Sequence, residues 1–130
     1  MSLAERLAAL ASRVGLELKG KIGATHPGLA RAWVCFGFVG AQVVVRAQHN
    51  VASVVRTGAG RYRVTFATPM PDAHYCWTAL ARSSTDSGTL RLAVVRASAD
   101  LKHAAFVDIS CATTATAFAD STEINLAIYR

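Results

Sequence analysis

Residues 50–75 constrain the fold more tightly than any other stretch. They read as strand, glycine hairpin, strand, proline corner and strand. Tyr62, Val64 and Phe66 alternate with Arg61, Arg63 and Thr65, the period-two pattern of a strand with one buried face. Thr57-Gly58-Ala59-Gly60 supplies the hairpin loop, because glycine enters positive φ without a Cβ penalty. Pro69-Met70-Pro71-Asp72 stops the next ladder, since proline fixes φ and has no N–H to donate.

The same period recurs on both sides of this stretch. Ala32, Val34, Phe36 and Phe38 share a face of a first strand, with Gly37 and Gly40 marking its turn. Val43, Val45 and Ala47 share a face of a second, opposite Gln42, Arg46 and Gln48. Tyr75, Trp77, Ala79 and Ala81 form a fifth, and Leu90, Leu92 and Val94 lead a sixth. Val107, Ile109 and Cys111 lead a seventh, and Ile124, Leu126 and Ile128 lead the last. Strands this short and closely spaced predict a mainly β fold, an antiparallel β-sandwich or jelly-roll-like domain over residues 30–130. The polar segments 83–88 and 112–121 are its candidate outward loops.

A short N-terminal amphipathic helix precedes that domain, over residues 1–15. Ser2 and Glu5 have capping-box spacing, and Gly15 stands where a helix would end. Leu3, Leu7, Leu10 and Val14 form one apolar stripe, for oligomerisation or docking. About two heptads are marginal alone in water, so the stripe packs on the chain's own sheet or on copies of itself. A lone helix ahead of an all-β chain favours self-association. Gly20, Gly23, Pro27 and Gly28 make residues 16–29 a linker.

Composition adds to this picture. Hydrophobic residues make up 52% of the 130, against 17% charged, so apolar surface is expected to be buried between subunits. No apolar run is long enough to span a membrane as a helix, and no signal-peptide pattern opens the chain. Cys35, Cys76 and Cys111 each sit in an apolar run, which predicts three buried thiols and a reducing compartment. The net charge is +6, and no acid occurs between Glu17 and Asp72. Arg46, Arg56, Arg61 and Arg63 in that window are candidate polyanion contacts, against the plainer reading of a solvated sheet face.

No catalytic constellation and no cofactor motif emerges. His74 and Cys76 share a strand face, but zinc needs two further ligands and no spacing supplies them. Asp108 alone among the acids lies within an apolar strand run, on an exposed face or bridging to a basic side chain. Asp72, Asp86, Asp100 and Asp120 fall at turns, where aspartate bonds locally. The arginines and aromatics of residues 61–66 lie on opposite faces, which argues against nucleic acid. Trp33 alternates with the apolar face of its strand and is the candidate for a groove or subunit contact.

Several of these runs resemble the C-terminal domains of tailed-bacteriophage fibre proteins. The resemblance is carried by Ala32-Trp33-Val34-x-Phe36, Val43-Val44-Val45-Arg46-Ala47 and Asn50-Val51-Ala52-Ser53-Val54. It continues through Gly58 to Phe66, Pro69 to Tyr75, and the closing Leu126-Ala127-Ile128-Tyr129-Arg130. It implies a trimeric β knob of a short fibre or virion appendage, used in host attachment. The implied partners are other virion proteins and a host surface glycan. A capsid decoration or head-fibre protein, and a carbohydrate-binding module, stay open as alternatives.

Overall fold

The computed structural model describes residues 1–23 and 25–130; position 24, inside the expected linker, lies outside the described residues. The described elements are α1 (Leu3–Lys21), β1 (Ala30–Val39), β2 (Gln42–His49), β3 (Val51–Gly58), β4 (Arg61–Phe66), β5 (Cys76–Arg82), β6 (Leu92–Val94), β7 (Phe106–Ala112) and β8 (Glu123–Tyr129). The strands form two antiparallel four-stranded sheets, ordered β2-β1-β8-β5 and β3-β4-β7-β6, packed as a sandwich.

The core follows the alternation. Ala32, Val34 and Phe36 from β1, Tyr62, Val64 and Phe66 from β4, Val107, Ile109 and Cys111 from β7, and Ile124, Leu126 and Ile128 from β8 are all buried. Phe36 and Tyr62 meet edge to face across the two sheets, centroids 5.2 Å apart. Such a pair contributes about 0.5–1.5 kcal/mol beyond its area burial. The proline corner also delivers apolar groups inward. Met70 and Tyr75 are buried, and the Tyr75 hydroxyl donates to the carbonyls of His103 (2.9 Å) and Phe106 (3.2 Å).

Several sequence expectations need correction. The helix does not stop at Gly15, which lacks the left-handed conformation of a helix-ending glycine. Leu16, Glu17, Leu18 and Lys19 have helix-favouring propensities, and Lys21 pairs with Glu17 one turn back. The capping box is present: Ser2 Oγ accepts from the Glu5 N–H (3.2 Å) and Glu5 Oε2 from the Ser2 N–H (2.6 Å). Gly37 does not form the β1–β2 turn. Gly40 and Ala41 do, both at positive φ (60° and 62°), as a two-residue hairpin of this hand requires.

In β2 the alternation breaks at a bulge. Cys35 pairs with Ala47 but Phe36 with Val45, leaving Arg46 as the extra residue. Ala47 therefore shares the outer face with Cys35, and Gln48 stands opposite the buried Val34. In β6 it is Ala93, opposite Cys111, that packs on the core, while Leu90 and Leu92 are exposed. Only Cys111 of the three thiols is buried; Cys35 and Cys76 alternate with inward residues and face out.

Gly37 lies within β1 because Thr122 crosses it. A Cβ there would stand 1.9 Å from the Thr122 carbonyl oxygen. Gly37→Ala is expected to destabilise the domain by about 1–3 kcal/mol through this backbone overlap. Urea denaturation of the two proteins measures it, and an unchanged midpoint would contradict the close approach.

Candidate binding surfaces

The strand directions divide the sandwich into two ends. The start of β1, to which the chain leads from the helix, the corner at residues 67–75 and Arg130 lie at one, here the proximal end. The β1–β2 turn, the β3–β4 hairpin and the segments 83–91 and 113–122 gather at the other, the distal end.

Asp120 organises the distal end. Its carboxylate accepts two bonds from Arg56 (3.0 and 2.8 Å), one from the Gly60 N–H (2.9 Å) and one from the Tyr62 hydroxyl (2.5 Å). Burial pushes its pKa up, but the bonds from Arg56, Tyr62 and Gly60 outweigh that and hold it below the usual aspartate value. Both ends of segment 112–121 are consequently tied to the sandwich, while residues 114–117 are exposed as expected. Ala119 donates to the Cys111 carbonyl (3.0 Å), and Ala112 and Ser121 are buried. Phe118 lies beneath the Arg61 guanidinium at 5.2 Å. Segment 83–88 is largely exposed, as expected.

Two of the candidate polyanion contacts are committed inside the fold. Arg56 is paired with Asp120 and stacked on Phe38 at 4.5 Å. Arg63 makes two bonds to Asp108 (2.7 and 2.9 Å) and stacks on Phe106 at 4.0 Å. Asp108 is thus the bridging acid, and it also accepts from the Leu101 N–H (3.1 Å). Arg61 is held over Phe118 with its Nε buried. Among the described residues Arg46, like Arg61, enters no ion pair, and unlike the other three it is stacked on no ring.

The bulge turns Arg46 onto the outer face of the β2-β1-β8-β5 sheet. Its guanidinium lies beside the Thr122 crossing, 3.0 Å from where a Cβ at Gly37 would stand. There it borders a cleft of about 460 Å³ with Arg82, Ser84, Thr85, Thr122 and Glu123. Arg82 donates twice to Glu123 Oε2 (2.9 and 2.7 Å), and Asn125 donates to Oε1 (3.1 Å). The Arg82 bonds, then Asn125 and the more distant Arg46 charge, hold the Glu123 pKa below its usual value. Thr122 Oγ1 accepts from the Ser84 N–H (2.8 Å), which ties segment 83–91 to the start of β8. The alternation placed Arg46 outward, but no sequence signal marked Arg82, Thr122 and Glu123 as its neighbours.

Nearer the proximal end the same face is almost uncharged. Trp33 is 40% exposed and Leu80 78%, beside Cys35, Asn125 and Ala127, around a depression of about 550 Å³. Trp33, the candidate for a groove or subunit contact, lines this depression. Among the described residues no group of three His, Cys, Asp or Glu side chains converges as a metal site would require.

Asp120→Ala would leave Tyr62, Gly60 and Arg56 without their acceptor and is expected to cost about 3 kcal/mol in urea unfolding. Acid should act through the same group and its analogues. Asp100, Asp108 and Asp120 all have lowered folded values despite burial, because Arg96, Arg63 and Arg56 bond to them. Their contribution is fully present above the ordinary aspartate value of about 4 and is lost as pH falls through the lowered folded values. Thermal midpoints should hold steady from about pH 7 to 4 and drop below that. A smaller acid drop is expected for Asp120→Asn, and one as steep as the wild type's would refute the assignment.

Compared with protein-family models, curated proteins and solved structures, the chain gives no match.

Proposed function

We propose that the protein is a structural protein of a bacteriophage virion, a fibre-like homotrimer acting in host attachment. The observation that carries this reading is the placement of α1. All its residues are exposed, including Leu3, Leu7, Leu10 and Val14, and it buries none of them against the sandwich. A stripe at 4, 3 and 4 spacing is the seam of a coiled coil, and association in parallel would bury it. The helix joins the proximal end, so parallel helices would carry the sandwiches side by side with their distal ends pointing the same way. The uncharged Trp33 and Leu80 region, along the middle of its sheet, then suits contact between neighbouring sandwiches.

The trimeric number and the virion setting rest on the resemblance to phage fibre domains. The protein acts by binding, with no bond made or broken, and three copies multiply a weak single-site affinity through effective concentration. A decoration protein gripping an acidic capsid through residues 19–63 is the less favoured reading. Two arginines of that stretch, Arg56 and Arg63, already hold internal carboxylates.

Light scattering on the full chain should give three times the chain mass, and the Leu7→Glu/Leu10→Glu variant should give one chain mass with an unchanged β-sheet spectrum. A monomeric wild type would overturn the assembly. Gold labelling on particles should find a few copies on an appendage, and tens to hundreds on the head would overturn the attachment role.

A further inference from the structure

We infer that the distal cleft between Arg46, Arg82 and Thr122 binds the carboxylate of an acidic sugar. This rests on the attachment reading for its biological setting but not for its chemistry. The cleft holds two guanidiniums against one carboxylate, a surplus of one positive charge. Both oxygens of Glu123 are engaged, Oε2 by Arg82 and Oε1 by Asn125. Arg46 enters no ion pair among the described residues, so its planar fork is open to an anion in the two-pronged geometry guanidinium offers.

Three features show that the site is built and not merely an exposed arginine. The bulge inserts Arg46 without disturbing the pairs on either side of it. Gly37 admits the Thr122 backbone against β1, and an Arg46 guanidinium nitrogen lies beside it, 3.0 Å from where a Cβ would stand. The close pass of Thr122 over Gly37 sets Oγ1 at the cleft, where it accepts from Ser84 N–H and keeps its own proton to donate.

The remaining lining selects the rest of the ligand. Ser83 and Thr85 join hydroxyls at 2.8 Å, which leaves the pair one donor and further lone pairs for a polyol. Among the described residues no aromatic ring lines the cleft, so a neutral sugar would lack the stacking platform that usually holds one, and the acid group must anchor. A volume of about 460 Å³ accommodates a monosaccharide unit.

Amide-resolved NMR of the full chain, titrated with sodium glucuronate and in parallel with glucose, tests the inference. Glucuronate is expected to shift the Ser83, Ser84, Thr85 and Thr122 amides saturably, while glucose at equal concentration does not. Arg46→Ala should weaken the binding about tenfold or more with the thermal midpoint unchanged, and Arg46→Lys should restore part of it. Arg13→Ala, on the helix, should bind as the wild type does. Absence of saturable shifts would overturn the assignment, as would sodium sulfate matching glucuronate in affinity at the same amides. Mass measurement separates the two readings: a trimer without shifts removes the cleft alone, and shifts on a monomer remove the fibre assembly alone.

Discussion

One carboxylate holds the distal half of this molecule together. Asp120 joins β3 through Arg56, the β3–β4 hairpin through Gly60 and β4 through Tyr62, while its own backbone leads into β8. Tyr62 carries the constraint inward, because the ring whose hydroxyl bonds Asp120 is the one that meets Phe36 between the sheets. The acid thereby couples the entry of β8 in one sheet to two strands of the other. Ser121 and Thr122 follow directly, and their pass over Gly37 inherits its precision from that anchor. In the partly buried setting of Asp120 such bonds are stronger than in water, and a missing partner costs correspondingly more.

What was legible in the chain was whatever repeats locally. Tyr62, Val64 and Phe66 announced a half-buried strand because three successive inward positions differ in polarity from their neighbours. Ser2 and Glu5 announced a helix start because both halves of the cap lie within one turn. The candidate site was mostly hidden, since its parts converge from distant positions. Arg63 finds Asp108 45 residues later, and Arg56 finds Asp120 64 residues later. No window on the sequence contains both members, so arginines that read as a free basic face turned out to be internally neutralised. Gly37 read as a turn glycine for the same reason: the strand that crosses it arrives from residue 122. Leu90, Leu92 and Val94 marked a sixth strand, but β6 is too short for alternation alone to fix which of its residues face the core.

The β2-β1-β8-β5 sheet changes character along its outer face. Along its middle it presents Trp33, Leu80 and Ala127; toward the distal end it presents Arg46, Arg82 and Glu123. A face graded in this way meets two kinds of neighbour at once. Its apolar half is suited to lose water against protein, and its charged half to remain wet and exchange ligands. In the proposed trimer both demands are met by the outer face of a single sheet, while its inner face shares the core with Val64 and Ile109 of the β3-β4-β7-β6 sheet.

The bulge in β2 has a consequence for how such a domain could diversify. Because the pairs Phe36–Val45 and Cys35–Ala47 flank Arg46 without counting it, a chain one residue shorter at that point would keep the same partners. The cation that faces the cleft is therefore separable from the ladder that supports it. Diversification at this edge can proceed by gain or loss of a single codon, a change in length that leaves every inward-facing side chain where it was.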